Sequence, residues 1–303
     1  INSLDIRVYK DSADPWGMET DAFDEYIGVF KPSRSAIVTE NGDVRTKVQT
    51  FWEYSKSSAV ITYIFSKNSR RLDVNIKMLS GDENIMYKLC INTNLDESCN
   101  AYCQTMFGTE KTRKEGKESV FQKWCAIKDS ENMIAVLNAG TYGGSFKDNE
   151  IRLSLLRTPV YSAHPVAGVE LAPNDRAYDH IDIGERNFDF SICINEPFVD
   201  CEAEIFNQKP LTLALFPQGN GDVIENGVYI DNKFIVLSAL KKCEGNVLIR
   251  LYNSSSDRQK AMLSVLDKCF DVEFKPFEVK TFVLREEGLQ KTDMLGRIIK
   301  DDE

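Results

Sequence analysis

Histidine is scarce in this 303-residue chain, where His164 and His180 are the only two. A zinc site uses three or four converging ligands, and histidine is among the commonest of them. Two histidines without paired helical spacing argue against a self-contained zinc centre and against histidine-based acid–base chemistry. We therefore expect no metal ligand and no cofactor in this chain.

Long apolar runs and an excess of basic residues are also missing. Apolar segments such as residues 234–238 are far shorter than the roughly 20 residues of a membrane-spanning helix. The chain has 47 acidic and 37 basic residues, whereas nucleic-acid binding needs excess positive charge on at least one face. The most charged segment, residues 110–118, has no aromatic residues among its basic ones, so we interpret it as a surface loop. We expect neither a nucleic-acid nor a membrane partner.

The N-terminal segment shows neither the basic stretch nor the apolar stretch of a secretion signal, so the sequence predicts a cytoplasmic location. The eight cysteines fit a reducing compartment. Only Cys99 and Cys103 lie close together, and no second Cys/His pair completes a metal site. Most of the others occupy apolar segments such as residues 192–194. We interpret them as buried free thiols, with a disulfide or a metal site as the alternatives.

Apolar residues recur mainly at every second position, the period of a half-buried strand. Residues 72–78 alternate strictly, and residues 59–65 form a β-branched and aromatic run typical of a buried strand. Strand patterns also occur at residues 44–49, 87–91, 188–194, 247–252 and 279–284. Helical patterns are few: residues 256–263 predict a short helical turn, and the tail from Glu286 is compatible with a helix or a frayed end.

Many strands joined by turn signals, such as Asn-Gly at 41–42 and Gly-Gly at 143–144, predict an all-β fold. We expect a large antiparallel β-sandwich, of the supersandwich type, followed by a smaller β-sandwich. The polar stretch 195–209 predicts the boundary between the two domains. It divides the chain into a large domain at 1–205 and a smaller C-terminal domain at 206–303 with a short tail.

No motif in the chain is sufficient for catalysis. Ser145 follows two glycines but lacks the frame of a nucleophile elbow, so we interpret it as part of a hairpin turn. The glycines at 219–221 are not followed by the Lys-Ser/Thr of a phosphate-binding loop. Glycoside hydrolysis needs two placed carboxylates, and the most interesting pair is Asp182 and Glu185 on either side of Gly184. A solvated loop is the alternative for this pair.

Seven segments carry short motifs in a fixed order. The first segment contains three motifs: D-P-W-G-M at 14–18, G-V-F at 28–30 and T-E-N-G-D-V-R-T at 39–46. The second is E-S-V-F-Q-K-W at 118–124, and the third is L-N-A-G-T-Y-G at 137–143. The other four are I-R-L-S-L-L-R-T-P at 151–159, D-I-G-E-R at 182–186, S-A-L-K-K at 238–242 with L-I-R-L-Y-N at 248–253, and P-F-E-V-K-T at 276–281.

Over residues 14–284, these segments resemble the C-terminal region of family 38 glycoside hydrolases, the class II α-mannosidases. The family patterns include E-x-P-x-Q-x-W, x-N-x-G-k-Y-G, L-x-L-T-L-L-R-S-P, D-Q-G-E-R and P-F-E-I-K-T. Three positions depart from the patterns, since Asp43 and Val120 stand in place of proline and Ile183 stands in place of glutamine. These departures bear on the fine geometry of a site more than on the family.

The resemblance implies a parent enzyme that is a retaining, zinc-dependent exo-α-mannosidase of mannose metabolism. In that family an N-terminal β/α barrel carries the aspartate nucleophile and the zinc ligands, and a three-helix bundle follows it. This chain resembles only the sandwich half, so no catalytic residue and no metal ligand is assigned to it. The implied partners are the chain's own N-terminal barrel and mannosides or other glycans. Apolar surface left without the barrel would favour homo-oligomers or aggregation.

Two roles are open to such a sandwich half: a scaffold for the barrel, or a loop at the rim of the substrate site. Our rim candidates in the loop 178–186 are Asp182, Glu185 and Arg186, with a surface ion network as the alternative. The aromatic residues that could stack on a sugar face are Tyr142, Trp52 and Trp124, with core packing as their alternative. Two other functions remain open: a free-standing carbohydrate-binding module, and a structural or interaction sandwich without a glycan role.

Overall fold

In the computed structural model of the chain, the described residues are 1–11, 16, 21–161, 172, 175–213, 216, 227–243, 245–266 and 268–299. Almost all regular structure in them is antiparallel β-strand, so the all-β prediction is confirmed. The chain divides into two compact units. The first comprises Ile1–Gln104 and Glu110–Val199, and the second comprises Thr105–Thr109 and Asp200–Glu303.

The first unit is built on two antiparallel sheets. A six-stranded sheet has the order β10-β13-β14-β7-β1-β2, with strands Glu115–Val120, Gly143–Lys147, Glu150–Arg157, Ile85–Asn92, Ser3–Lys10 and Tyr26–Val29. A nine-stranded sheet has the order β3-β4-β5-β6-β15-β12-β11-β8-β9. Its strands are Lys31–Asn41, Arg45–Tyr54, Ser57–Ser66, Arg71–Ser80, Gly184–Ile194, Met133–Asn138, Trp124–Lys128, Asn100–Thr105 and Gly108–Thr112.

The core of the first unit lies between these two sheets. The six-stranded sheet contributes buried side chains such as Tyr87 and Leu89, and the nine-stranded sheet contributes Ile61, Ile76 and Phe190. Successive strand residues point to opposite faces, so each strand with an alternating pattern gives one face to this core. The first unit is therefore a β-sandwich, and the outer face of its nine-stranded sheet is left for polar side chains.

In its described residues, the second unit is a smaller β-sandwich with one helix. Its three-stranded sheet has the order β16-β19-β20, with strands Val228–Ile230, Gln259–Val265 and Lys268–Phe274. Its four-stranded sheet has the order β17-β18-β21-β22, with strands Ile235–Cys243, Asn246–Asn253, Val279–Arg285 and Gly288–Thr292. Leu263 and Phe274 from the first sheet pack with Ile249 and Phe282 from the second.

The helix predictions were wrong. Residues 256–263 contribute to β19, where Ala261, Leu263 and Val265 are buried at every second position and β20 supplies the paired strand. In the tail from Glu286, for which a helix or a frayed end was expected, residues 288–292 form strand β22, which pairs with β21. The helix instead is α1, Val199–Asn207, within the stretch predicted to be a polar seam. The acidic residues Asp200 and Glu202 in its first turn stabilise the helix through their interaction with the positive end of the helix dipole.

Two loop predictions were also wrong. Gly143 and Gly144 begin strand β13 rather than form a turn, and Ser145 lies within that strand. The charged segment 110–118 is mostly strand, because β9 ends at Thr112 and β10 begins at Glu115. The turn signal at 41–42 was correct, since β3 ends at Asn41 and β4 begins at Arg45. Within the described part of the chain, no helix is long and apolar enough to cross a membrane.

Candidate functional site

The loop before β15 owes its shape to two special backbone positions. Asp182 has a φ of 53° and Gly184 a φ of 120°. Aspartate tolerates a positive φ better than most residues, and the conformation of Gly184 strongly favours glycine. The Asp-x-Gly spacing at 182–184 therefore has a conformational cause, and it orients the chain as it enters β15.

Asp182 and Arg186 form an ion pair across this turn. Arg186 Nη2 lies 3.0 Å from Asp182 Oδ1, and Arg186 Nη1 donates to the Glu185 carbonyl oxygen at 2.9 Å. The two side chains are 44% and 45% exposed. Exposed pairs of this kind contribute little to stability, roughly 0.2–1 kcal/mol, because water competes for both charges. Both groups remain accessible to a ligand.

Glu185 makes a different ion pair, with Lys77 on β6, where Lys77 Nζ lies 3.0 Å from Glu185 Oε1. Phe188 and Phe190 of β15 face the core, so Glu185 projects from the outer face of the sheet. Arg186 projects from the opposite face of the strand. The structure thus brings Asp182 to Arg186 and Glu185 to Lys77, on two sides of β15.

The aromatic candidates lie apart from this loop. Tyr142 directly precedes β13 of the six-stranded sheet; its carbonyl oxygen accepts a hydrogen bond from Phe121 N at 3.0 Å. Its side chain is 55% exposed. Trp52 packs against the core and donates to Thr50 Oγ1 at 2.8 Å, and Trp124 is buried. Tyr142 is the most accessible of these three rings.

A polar groove of about 480 Å³ lies on the outer face of the nine-stranded sheet. We call it the β3–β15 groove. Its lining residues come from β3, β4, β5, β6 and β15: Thr39, Glu40, Lys47, Gln49, Thr62, Ile64, Asn75 and Asp189. Asp189 lies four residues beyond Glu185 on the same face of β15, so the groove and the Glu185–Lys77 pair share one surface.

Cross-strand hydrogen bonds fix the polar side chains of the groove. Gln49 Nε2 donates to Thr62 Oγ1 at 3.2 Å, from β4 to β5. Asn75 Nδ2 donates to Asp189 Oδ1 at 2.9 Å, from β6 to β15. Because both bonds join residues of neighbouring strands, the sheet register sets the spacing of the groups that face the groove.

The charges at one end of the groove are already paired. Glu40 contacts Arg45 through Oε1 at 2.7 Å and Lys47 through Oε2 at 2.9 Å. Hydrogen bonds from these two cations lower the pKa of Glu40 below its usual value. Glu40 is therefore a carboxylate at neutral pH, and the charge of Lys47 is locally balanced.

The sequence analysis did not identify this groove. The available signal was a set of polar residues at alternate positions of β4, β5 and β6. Asn75 and Asp189 are far apart in the sequence, and only the register of β6 with β15 brings them together. The sequence predicts both strands but gives no reason to place them side by side.

A buried charged network was also missed. Lys88 is fully buried in the middle of β7, and its ammonium group contacts the Glu118 carboxylate and lies 3.0 Å from Ser145 Oγ. Ser154 Oγ donates to Glu118 Oε2 at 2.6 Å. Burial lowers the pKa of Lys88, and Glu118 opposes this shift. A lysine inside an otherwise apolar strand was the signal for such a partner.

This network gives a structural role to residues in two of the seven segments that resemble family 38. Glu118 comes from the segment 118–124, and Ser154 from the segment 151–159. Arg157, in the second of these segments, makes a two-bond contact with Asp11, with N···O distances of 2.8 and 2.7 Å. Glu118, Ser154 and Arg157 thus connect separate segments of the first unit. The motif at 14–18 lies outside the described residues except for Trp16.

No group of three or more His, Cys, Asp or Glu side chains in the described part of the chain is arranged to hold a metal ion. His164 lies outside that part. The described residues therefore do not fit a zinc site, which needs three or four such ligands around one point.

The fold is similar to two solved structures from Enterococcus faecalis. One is described as an α-mannosidase from strain V583, with a TM-score of 0.72, and the other as a protein in glycosyl hydrolase family 38, with a TM-score of 0.76. Each is 13% identical and covers 93% of this chain. The chain spans only 38% and 40% of the lengths of those two proteins. At this identity the likeness shows a shared fold.

A sequence search of curated proteins finds no match. The family model described as the glycosyl hydrolases family 38 C-terminal domain matches residues 3–167, which is more than half of the chain. The matched residues include most of the first sandwich, with the Lys88 network and the outer face of β4, β5 and β6. The chain belongs to glycosyl hydrolase family 38, in the part of that family described by its C-terminal domain.

Proposed function

We propose that this chain is the C-terminal β-sandwich region of a retaining, zinc-dependent exo-α-mannosidase that acts on mannosides and glycans. The observation that carries the proposal is the family match over residues 3–167. The fold likeness to an α-mannosidase, of which this chain spans 38%, supports the same interpretation. The proposed biological role is mannose metabolism, and the proposed location is the cytoplasm.

The proposal assigns the catalytic chemistry to an N-terminal barrel outside this sequence. That barrel would supply the carboxylate nucleophile, the general acid and the zinc ligands, with retention through two displacements. The absence of a suitable ligand cluster among the described residues supports this division. Zinc is therefore assigned to the proposed barrel and to no residue described here, and the 303-residue chain is expected to be inactive by itself.

The proposed role of this chain is to act as a scaffold for the barrel and to contribute to the substrate rim. The Lys88–Glu118 network supports the scaffold role, because residues of two family-like segments meet in it. The rim candidates are Asp182, Glu185, Arg186 and Tyr142. Their exposed side chains, at the entry to β15 and β13, support a role in contacting sugar hydroxyl groups.

A second candidate function is a free-standing carbohydrate-binding module. The observation that favours it is the β3–β15 groove, because seven of its eight lining residues are of polar type and all eight belong to the first unit. A structural or interaction module without a glycan role is the third candidate. Saturable quenching of tryptophan fluorescence by mannosides would favour the second candidate over the third.

Hydrolysis of 4-nitrophenyl α-mannoside with added zinc tests the main proposal. We expect no turnover by the 303-residue chain, and turnover by a polypeptide extended upstream by its natural coding sequence. A chelator should abolish the activity of the extended polypeptide. Zinc-dependent turnover by the 303 residues alone, or an upstream sequence that encodes no barrel, would contradict the proposal.

A further inference from the structure

We propose that the β3–β15 groove is a second, non-catalytic binding site for neutral oligosaccharides. The proposal rests on the glycosidase function above and assigns the groove to the same class of substrate. The groove lies on the outer face of the nine-stranded sheet, the surface that also carries the Glu185–Lys77 pair, whereas Tyr142 precedes a strand of the six-stranded sheet. At about 480 Å³, it falls within the roughly 300–1,000 Å³ typical of small-molecule sites.

The hydrogen-bonding groups of the groove suit a ligand with many hydroxyl groups. A side-chain amide offers two donors and two acceptor lone pairs, and a threonine hydroxyl offers one donor and two acceptor positions. The bond between Gln49 and Thr62 uses one amide hydrogen and one hydroxyl acceptor position. The remaining donors and acceptors, beside the amide of Asn75, match hydroxyl groups, which also both donate and accept.

The charge balance of the groove favours a neutral ligand over an anionic one. Lys47 is the one cation among the lining residues, and Glu40 contacts it at 2.9 Å. Asp189 adds a further acidic group to the lining. A phosphate or carboxylate ligand would therefore meet two acidic side chains, whereas neutral hydroxyl groups can donate to them.

None of the described residues that line the groove is aromatic. The ligand would therefore be held by hydrogen bonds to the edge of its ring rather than by stacking on its face. Sites of this kind need donors and acceptors at fixed positions, and the cross-strand bonds of Gln49 to Thr62 and of Asn75 to Asp189 provide them. The expected affinity is weak, with a Kd on the order of 1 mM.

The test is saturation-transfer NMR of the 303-residue chain with α-1,2-, α-1,3- and α-1,6-mannobiose. The key variant combines Gln49→Leu with Thr62→Val. Both hydrogen-bonding partners are replaced by apolar groups of similar size, so neither is left unpaired and the fold should be retained. The matched control is Glu53→Ala, an exposed position on the same face of β4 that does not line the groove.

We expect saturable binding of at least one mannobiose by the unaltered chain and by the Glu53→Ala control. The double variant should bind it at least about tenfold more weakly, since it loses hydrogen bonds to the sugar. Thermal unfolding should show that both variants are folded. No saturable binding by the unaltered chain, or equal binding by the double variant, would overturn the proposal.

A competition experiment with mannose 6-phosphate separates neutral from anionic recognition. Weaker binding of the phosphorylated sugar than of the mannobiose supports the proposal, and tighter binding that depends on Lys47 contradicts it. These measurements follow binding and not turnover. Their failure leaves the hydrolase proposal standing, while failure of the hydrolysis assay in the extended polypeptide leaves binding in the groove standing.

Discussion

The ammonium group of Lys88 donates a hydrogen bond to the carboxylate of Glu118, from the middle of β7 to β10. Lys88 is fully buried, whereas the Glu118 side chain keeps 24% of its exposure. Ser145 Oγ lies 3.0 Å from the Lys88 ammonium, and Ser154 Oγ lies 2.6 Å from the Glu118 carboxylate. The pair is thus asymmetric, because the Glu118 carboxylate reaches water whereas the ammonium group of Lys88 does not.

This asymmetry predicts unequal costs of removing the two partners. Glu118→Ala should lower the free energy of unfolding by about 3 kcal/mol, because it leaves a buried ammonium group without a counter-charge. Lys88→Met should cost less, since the carboxylate left behind reaches water. Urea unfolding at neutral pH measures the change in the free energy of unfolding for both variants. Equal effects of the two substitutions, or no effect of Glu118→Ala, would show that Glu118 does not stabilise the buried charge of Lys88.

Gly144 provides a steric prediction. A Cβ atom added at this position would lie 2.7 Å from the Arg152 carbonyl oxygen on the paired strand β14. Gly144→Ala should therefore destabilise the chain by roughly 1–3 kcal/mol, as overpacking does. Gly227→Ala is the matched control, because an added Cβ there meets no atom of the described residues within 4 Å. Urea unfolding should show a loss for the first variant and little change for the second.

Buried thiols predict a loss of stability at alkaline pH. Burial raises the pKa of Cys90 from 9.0 to about 11 and that of Cys103 to about 12. The unfolded thiol loses its proton near pH 9, while the folded one keeps it, so the unfolded state is favoured as the pH rises. This stability is fully present below pH 9 and is lost from 9 to about 11 for Cys90.

Urea unfolding at several pH values tests the contribution of Cys90. The Cys90→Ala variant should lose about 2 kcal/mol less than the unaltered chain between pH 8.5 and 10.5. Arg7, Arg152, Glu150 and Tyr9 surround the thiol, so the comparison is made between variants and not with an absolute value. Burial lowers the pKa of Lys88, which acts in the opposite direction and is common to both proteins. Identical pH profiles would refute the prediction.

Thiol labelling tests the prediction that the cysteines are free. None of the eight cysteines forms a disulfide in the structure; Cys269 is exposed, Cys201 and Cys243 are partly buried and the other five are buried. A thiol reagent at neutral pH should modify Cys269 first, because reaction requires access to the thiolate. Denaturation without a reductant should then expose all eight. Fewer than eight reactive thiols after denaturation would indicate a disulfide.

The rim candidates are tested in the extended polypeptide that the functional proposal requires. Asp182→Ala removes the partner of Arg186 at the entry to β15. If this loop contacts the substrate, kcat/KM for an oligosaccharide should fall about tenfold, the effect of one lost charged hydrogen bond. The stability should change by less than about 1 kcal/mol, because the pair is exposed.

A similar exposed pair elsewhere in the first unit supplies the control. Lys10 Nζ lies 3.3 Å from Glu25 Oε2, and the two side chains are 59% and 63% exposed. Glu25→Ala should affect stability to a similarly small degree and leave kcat/KM unchanged. An equal loss of activity in both variants would point to a general effect on folding and away from a rim contact.

The recurrence of apolar residues at every second position was enough to predict most strands of the core. Residues 59–65 and 72–78 lie in β5 and β6 as expected, because their apolar side chains face one core at every second position. The same rule failed for α1. Its buried positions Val199, Ala203 and Phe206 follow a helical spacing, but charged residues between them made the stretch resemble a linker.

The site was less predictable than the fold. The turn at Asp182 and Gly184 is a local feature, so the sequence could identify the loop. The contacts of Glu185 with Lys77 and of Asn75 with Asp189 depend on the pairing of β6 with β15, which are about a hundred residues apart. Local sequence patterns do not specify which distant strands pair or in which register. The groove could therefore be identified only from the three-dimensional structure.

The position of β15 in the nine-stranded sheet also has a consequence during biosynthesis. β15 lies between β6, which ends at Ser80, and β12, which ends at Asn138. A ribosome adds roughly 5–20 residues per second, so the edge of β6 stays unpaired for about 5–20 s before Gly184 is made. During that interval the nascent chain exposes an open sheet edge. Efficient production of this protein is therefore expected to depend on chaperones that cover the edge until the last strand of the sheet arrives.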